Sequence, residues 1–84
     1  MYAVEFLPSA AKTLSNLDDV VRRRIARRID RLAAEPRGGG ATKLRGADDV
    51  WRARVGDYRI LYRVEDERLV ILVIRIGHRR DVYR

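Results

Sequence analysis

Four arginines fall within residues 50–63, the stretch VWRARVGDYRILYR, which otherwise has the composition of two β-strands. They are Arg52, Arg54, Arg59 and Arg63. A guanidinium is planar, keeps its charge in proteins and binds a phosphate group through two parallel hydrogen bonds. The stretch therefore predicts a hairpin that presents fixed positive charge to a polyanionic partner.

The loop of this hairpin determines which side chains share a face. Gly56-Asp57 is the shortest connection between the two strands, and glycine at its first position suits a type II′ turn. This register sets Val55 opposite Tyr58 and Arg54 opposite Arg59. Alternation then assigns Arg52, Arg54, Arg59 and Arg63 to one face, and Trp51, Ala53, Val55, Tyr58, Ile60, Tyr62 and Val64 to the other.

The opposition of Arg54 and Arg59 has two interpretations. Like charges that face each other across strands destabilise a sheet, and a local rule broken without compensation is typical of a functional site. Alternatively, the arginines are scattered over a solvated sheet face, which would tolerate any arrangement. The first interpretation predicts a binding platform on the arginine-bearing face, while the apolar face receives the helices.

The C-terminal stretch RIGHRRDVYR adds further candidates after Gly77, which ends the third strand. These are His78, Arg79, Arg80, Tyr83 and Arg84. If Asp66-Glu67 is also a two-residue loop, residue 79 projects near Arg54. His78 is the single histidine, and an unperturbed imidazole pKa of about 6.5 suits proton transfer at neutral pH. The alternative is a histidine that only accompanies a glycine turn.

The preceding elements are one strand and two helices. Residues 2–6 alternate as a half-buried strand, Pro8 ends it, and Ser9 is expected to cap a short helix that continues to about Leu17. Asp18 or Asp19 caps a longer helix whose apolar stripe is Val21, Ile25, Ile29 and Leu32. Arg22, Arg23, Arg24, Arg27, Arg28 and Arg31 cover its remaining faces, either as a solvated surface or as a binding face.

The rest of the chain predicts strands at about 50–55, 58–64 and 69–76, after a flexible connector RGGG at residues 37–40. The fold class is therefore α+β, with the order β-α-α-β-β-β. We expect an antiparallel sheet with the two N-terminal helices packed on one face. Residues 1–84 are expected to form a single domain.

Composition restricts the function classes. The chain holds 19 basic and 12 acidic residues, a net charge of +7, and no cysteine. Disulfides and thiolate metal sites are excluded, and a polyanion such as nucleic acid, an acidic protein segment or a membrane surface is the expected partner. The N-terminus lacks the pattern of a signal peptide, and the longest apolar run, residues 69–74, is too short to span a membrane. A cytoplasmic location is expected.

The ordered set KLRG (43–46), VWRARVGDYRILYRV (50–64) and VIRIGHRRDVY (73–83), after a strand and two helices, resembles the RelE/ParE toxins of toxin–antitoxin modules. The resemblance covers essentially the whole chain and implies a microbial ribonuclease-like fold. It implies ribosome-dependent cleavage of mRNA, in which a ribose 2′-hydroxyl attacks the adjacent phosphate. The products are a 2′,3′-cyclic phosphate and a free 5′-hydroxyl, and no metal or cofactor is required.

The resemblance also implies roles for individual residues. The family's two strand cations, usually lysines, correspond to Arg52 and Arg54, its strand arginine to Arg59, and its C-terminal pair to Arg79 and Tyr83. His78 is a further candidate, because related toxins use a C-terminal histidine as acid or base. Further RNA contacts are expected from Lys43, Arg45, Arg63, Arg80 and Arg84.

Two departures from the family pattern affect these roles. A guanidinium is a poor proton shuttle, so Arg52 and Arg54 are expected to clamp phosphate and stabilise the transition state rather than move the proton. The tail between Arg79 and Tyr83 is shorter than in the best-known RelE proteins, which leaves the position of Tyr83 open.

The resemblance implies three partners: the ribosome, mRNA and a small acidic or amphipathic antitoxin, the last in a toxin–antitoxin hetero-oligomer without membrane attachment. Two alternatives remain at this point. One is a ParE-type toxin that inhibits DNA gyrase without catalysis, and the other is a silent RNA-binding module.

Overall fold

The computed structural model describes residues 1–46 and 48–78. Its elements are β1 (Ala3–Phe6), α1 (Pro8–Asn16), α2 (Asp19–Ala34), β2 (Thr42–Lys43), β3 (Val50–Val55), β4 (Tyr58–Glu65) and β5 (Val70–His78). The α+β class, the two helices and the β3–β4–β5 meander are confirmed. No helix in the described part of the chain is long and apolar enough to cross a membrane.

The sheet has five strands in the order β1-β5-β4-β3-β2. Strand β1 runs parallel to β5, with Ala3 beside Val70 and Phe6 beside Val73, and the other pairs are antiparallel. The sheet is therefore mixed, whereas the sequence predicted an antiparallel one. The two helices between β1 and the meander supply the long connection that parallel neighbours require.

The two helices begin differently. The side chain of Asp18 accepts a hydrogen bond from the Val20 N–H, which confirms the expected cap of α2. The expected Ser9 cap of α1 is wrong, because the helix begins at Pro8 and its cap residue is Leu7. Proline is well suited to the first helical position, where its missing N–H is not needed.

The core lies between the helices and one face of the sheet. Ile25, Ile29 and Leu32 of α2 are buried, which confirms the apolar stripe. They pack in one cluster with buried side chains of three strands: Ala53, Ile60, Tyr62, Val64, Ile71, Val73 and Ile76. Each large side chain removed from water contributes about 1.5–3 kcal/mol, so this cluster holds the helices to the sheet. Within residues 1–46 and 48–78, no helix covers the opposite sheet face.

The connection between β4 and β5 contains four residues, 66–69, because Glu65 pairs with Val70. The two-residue loop expected at Asp66-Glu67 is therefore wrong. Leu69 has a φ of +53°, and its N–H bonds the Asp66 carbonyl at 3.2 Å. A register shift between Leu61 and Tyr62 then moves the pairing by one more residue. The placement predicted for residue 79 lies outside the described residues.

A polar cluster ties three loops together, and we call it the Arg37 clasp. Arg37 donates to the Asp49 carboxylate at 2.7 Å and to both carboxylate oxygens of Asp66 at 2.8 and 3.0 Å. The Tyr2 hydroxyl donates to Asp66 at 2.6 Å, and the Trp51 indole N–H donates to Asp49 at 3.0 Å. The clasp thereby joins the α2–β2, β2–β3 and β4–β5 connections.

The hydrogen bonds of the Arg37 clasp shift the acidity of its carboxyls. Hydrogen bonds from Arg37 and Tyr2 lower the pKa of Asp66 to about 2. The pKa of Asp49 is lowered mainly by the Trp51 indole and then by Arg37. Both carboxyls therefore remain ionised well into the acidic range. The sequence held no pattern that identified this cluster, because its members lie far apart in the chain.

Candidate functional site

The β3–β4 hairpin has the register expected from its loop. Val55 pairs with Tyr58, Arg54 with Arg59 and Arg52 with Leu61. Gly56 has a φ of +57°, and Asp57 is not among the described residues with positive φ, which is the combination of a type II′ turn. The predicted face assignment is confirmed, because Ala53, Ile60 and Tyr62 belong to the helix-covered core.

The arginines of the open face differ in solvent exposure. Arg54 and Arg63 are exposed, Arg52 is half-buried, and Arg59 is only 7% exposed. The Arg59 Nη1 donates to the Tyr58 carbonyl at 3.3 Å. Burial holds Arg59 in one position, whereas Arg54 is free to adapt to a bound group. The hairpin therefore combines one buried cation with others that are more exposed.

Strand β5 extends this face and adds a cation that the sequence analysis did not single out. Arg75 pairs with Leu61, and Leu61 pairs with Arg52, so the two arginines flank one leucine in the same row. Gly77 pairs with Arg59 in the next row, and because glycine has no side chain, β5 places none beside Arg59 on this face. We call Arg52, Arg54, Arg59 and Arg75 the arginine face.

Arg75 was missed because its face depends on the β4–β5 connection. A two-residue loop at Asp66-Glu67 would set residue 75 opposite Tyr58, on the helix-covered side. The four-residue loop and the register shift set it opposite Leu61 instead. Neither feature has a distinctive sequence signal, although Asp66-Glu67 lacks the glycine or asparagine that favours a two-residue turn.

Acidic side chains occupy the opposite end of the same sheet face. Glu65 lies at the end of β4, and Glu5 pairs with Leu72 two rows from Arg75. Arg68 bridges them, with nitrogen–oxygen distances of 3.0 Å to Glu5 and 3.2 Å to Glu65. These two carboxylates are therefore paired locally with Arg68.

His78 is placed away from the arginine face. It pairs with Tyr58 and packs edge-on against that ring, with 5.5 Å between ring centroids and an interplanar angle of 77°. Tyr58 lies on the helix-covered side, and both rings line a groove with Leu17 of the α1–α2 connection. By its pairing His78 therefore lies on the side of the sheet opposite Arg52, Arg54 and Arg59, although Arg75 also lines this groove.

The other predicted site residues fall into three groups. Arg63 shares the open face and pairs with Val50. Lys43 pairs with Trp51 at the exposed edge strand β2, on the side opposite the arginine face, and Arg45 is exposed in the turn that follows. The predicted residues Arg79, Arg80, Tyr83 and Arg84 lie outside the described residues.

The arginine face can bind a phosphate and stabilise negative charge that develops on it. The buried Arg59 is held in place, so it needs little reorganisation when that charge appears. Within residues 1–46 and 48–78, no cluster of histidine, aspartate and glutamate side chains could hold a metal ion.

The similarity of this chain to known proteins extends along nearly its whole length. The family described as "ParE toxin of type II toxin-antitoxin system, parDE" matches residues 4–83. The chain is 32% identical over 84 residues to toxin RelG of Mycobacterium tuberculosis, and the alignment covers 99% of this chain and 97% of RelG. It is 33% identical over 86 residues to the mRNA interferase toxin RelE of Escherichia coli K12, and that alignment covers 98% of this chain and 90% of RelE.

The fold is shared as well. A chain in the crystal structure of the intact E. coli RelBE toxin–antitoxin complex superposes with a TM-score of 0.85 at 30% identity. The superposition covers 93% of this chain and 96% of that chain.

Proposed function

This chain belongs to the RelE/ParE family of toxins from type II toxin–antitoxin systems, and from that membership we propose that it is an mRNA endonuclease. The observation that carries the proposal is the arginine face, in which Arg54 and Arg59 are directly opposed. Opposed cations are costly in a free sheet, and a phosphate between them offsets that cost. The RelE relative is itself named an mRNA interferase.

The proposed reaction is the attack of a ribose 2′-hydroxyl on the adjacent phosphorus. The new oxygen–phosphorus bond closes a 2′,3′-cyclic phosphate, and the bond to the 5′-oxygen breaks to release a 5′-hydroxyl. The proton leaves the 2′-oxygen, and a proton is delivered to the departing 5′-oxygen. The transition state carries extra negative charge on the non-bridging oxygens, where cations are most effective.

The arginine face has a distinct part in this reaction. Arg59, which is buried, holds one non-bridging oxygen in place, and Arg52 and Arg54 clamp the phosphate from the neighbouring strand. A guanidinium is not a base at neutral pH, so these residues stabilise charge and do not take the 2′ proton. We assign that task to the C-terminal end of the chain, where His78 and Tyr83 are the candidates that carry no guanidinium, while Arg79 adds a further cation to the site.

Ribosome-bound mRNA is the proposed substrate, and a small acidic or amphipathic antitoxin is the proposed partner. A RelE toxin is solved in complex with its antitoxin in the E. coli structure that this chain matches. A chain of net charge +7 with an uncovered cationic sheet face is complementary to an acidic segment that wraps around it. Such a segment would neutralise the arginine face in the complex.

The test is induction of this chain alone, followed by primer extension on a reporter mRNA. We expect cuts within translated codons and none in the same mRNA without a start codon. Arg59→Ala and Arg52→Gln should reduce cutting by about 10²–10³-fold, the loss typical of one transition-state donor. Arg23→Gln, an exposed change on α2, is the matched control and should cut as the parent does.

Two results would contradict the proposal. Intact mRNA together with an SOS response and stalled replication would select gyrase inhibition, the ParE-type alternative. Cutting by folded Arg59→Ala and Arg52→Gln variants at the parental rate would remove the arginine face from the reaction. Circular dichroism of each purified variant establishes that it is folded.

A further inference from the structure

A second cationic site lies beside α2, at the end of the β3–β4 hairpin. Its walls are α2, the glycine loop (Gly38–Gly40) and the β3–β4 turn. It is an open cleft of about 1130 Å³. We call it the arginine cleft, and its cationic lining is Arg24, Arg27, Arg28, Arg31 and Arg54. Arg24, Arg27 and Arg31 are three and four residues apart, about one turn each, so their side chains project from the same face of α2.

Arg28 gives the cleft an ordered wall, unlike a patch of exposed arginines on a helix surface. Its side chain is buried, with only 8% exposed, and it donates to the Gly39 carbonyl. Gly39 has a φ of +62°, and a Cβ there would lie 3.1 Å from the Arg28 Nη1. Glycine is therefore required at this position both by the backbone and by the approach of the guanidinium.

The charge of the cleft is not balanced by its own walls. Asp30 and Glu35 are its two acidic lining residues, against five arginines. The ion pairs found within residues 1–46 and 48–78 join other arginines to other carboxylates: Arg22 to Asp19, Arg37 to Asp49 and Asp66, and Arg68 to Glu5 and Glu65. An anion in the cleft would therefore lower the repulsion among its guanidinium groups.

The lining distinguishes between classes of anion. An acidic amphipathic peptide needs apolar contacts as well as charge, and the cleft offers Ala34 and Val55 as its two apolar side chains beyond the backbone glycines. A nucleic-acid backbone needs repeated phosphate contacts and no apolar anchor. Arg54 lines the cleft and also belongs to the arginine face, so the two cationic surfaces meet at the hairpin end.

We propose that the arginine cleft is a second phosphate-binding site, which holds an RNA backbone segment outside the cleavage site. This inference extends the proposed function, and the identity of the RNA depends on that function. One RNA then crosses the hairpin, with the reacting phosphate on the arginine face and other phosphates along α2. The cleft supplies affinity without sequence preference, because guanidinium–phosphate contacts read no base.

The test measures binding separately from cleavage. The probe is a fluorescein-labelled 2′-O-methyl oligouridine, in which the attacking hydroxyl is blocked, so it cannot be cut. The cleft variant replaces Arg24, Arg27 and Arg31 by glutamine. The charge-matched control replaces Lys12, Arg22 and Arg23 by glutamine, three exposed or half-exposed cations outside the cleft. Both variants lose three charges, so long-range attraction is reduced equally.

The expected result is a difference between these two variants. Each lost single-strand phosphate contact reduces the slope of log affinity against log salt by about 0.7, so the cleft variant should lose about 2 from its slope. Its affinity in about 0.1 M salt should fall on the order of 10- to 100-fold, whereas the control should keep the parental slope. Arg28→Lys, which retains the charge but not the guanidinium fork, should weaken binding less.

Three outcomes would overturn the inference: equal losses in the cleft variant and the control, full displacement of the probe by millimolar inorganic phosphate, or tighter binding of polyglutamate than of RNA. Failure of the proposed function would look different. In that case the protein would leave mRNA intact, while the cleft variant would still show its reduced slope with the uncleavable probe.

Discussion

Arg54 and Arg59 lie directly opposite each other on adjacent antiparallel strands, and both project from the face opposite the one on which α1 and α2 pack. The Cβ atoms of such a pair are about 5 Å apart, a separation at which like charges destabilise a sheet. A buried Arg59 has little room to withdraw from its neighbour. The relationship predicts that stability and activity respond in opposite directions when one of the two charges is removed.

Arg54→Gln is expected to raise the free energy of unfolding by about 0.2–1 kcal/mol, because the opposed charge is relieved. The same change should lower mRNA cleavage by about 10²-fold, because one phosphate clamp is lost. Urea denaturation and an in vitro cleavage assay measure the two effects. Arg63→Gln is the control for stability alone, since its row partners are Val50 and Leu72 and neither of them is a cation. A loss of stability in Arg54→Gln would contradict the interpretation.

Arg75→Gln is expected to reduce cleavage by about 10-fold, the equivalent of one charge-assisted hydrogen bond, and Arg75→Lys should retain most of the activity. The reason is its position beside Leu61 in the row of Arg52. Initial rates on a synthetic substrate provide the measurement. Arg68→Gln, at the acidic end of the same face, should leave the rate unchanged. Equal rates in Arg75→Gln and the parent would exclude Arg75 from the site.

The Arg37 clasp predicts a pH dependence of stability. The pKa of Asp66 is lowered to about 2 in the folded chain, so the folded state binds fewer protons than the unfolded state in mildly acidic solution. The stabilisation is therefore present above the ordinary carboxyl pKa of about 4 and is lost as the pH falls through about 2. We expect Arg37→Ala to lower the melting temperature by about 2–5 °C at neutral pH.

That difference in melting temperature should shrink as the pH falls below about 4 and disappear below about pH 2, where Asp66 is protonated in the folded parent. Arg23→Gln again provides a surface arginine without carboxylate partners and should follow the parent at every pH. A constant difference across the acidic range would show that Arg37 acts through packing rather than through its carboxylate partners.

Tyr62→Phe tests the one hydroxyl at the centre of the core. The Tyr62 hydroxyl donates to the Pro36 carbonyl, and burial raises the pKa of this phenol to about 12. Loss of the donor should reduce the free energy of unfolding by about 1 kcal/mol. Because the folded state holds this proton more tightly, parental stability should fall from about pH 10 to pH 12. The variant should show a shallower fall in alkaline denaturation, and an identical pH profile would contradict the assignment.

Much of the site could be predicted from local sequence. The Gly56-Asp57 turn is two residues long, so it sets the register of every pair in the hairpin and places Arg52, Arg54 and Arg59 together. The apolar stripe at Ile25, Ile29 and Leu32 likewise determined which helix face is buried. Both inferences use periodicity within one or two neighbouring elements, where the chain itself fixes the geometry.

Contacts between distant segments could not be read in this way. Arg75 joins the arginine face only because a four-residue loop and a register shift set it opposite Leu61. The arginine cleft requires the glycine loop to fold back over Arg28, and the Arg37 clasp joins residues more than sixty positions apart. Local sequence determined the charges of this protein and the hairpin that carries half of its site. Tertiary packing decided which charges from distant segments join those of the hairpin, because the energy of a charge depends on the neighbours that the fold brings to it.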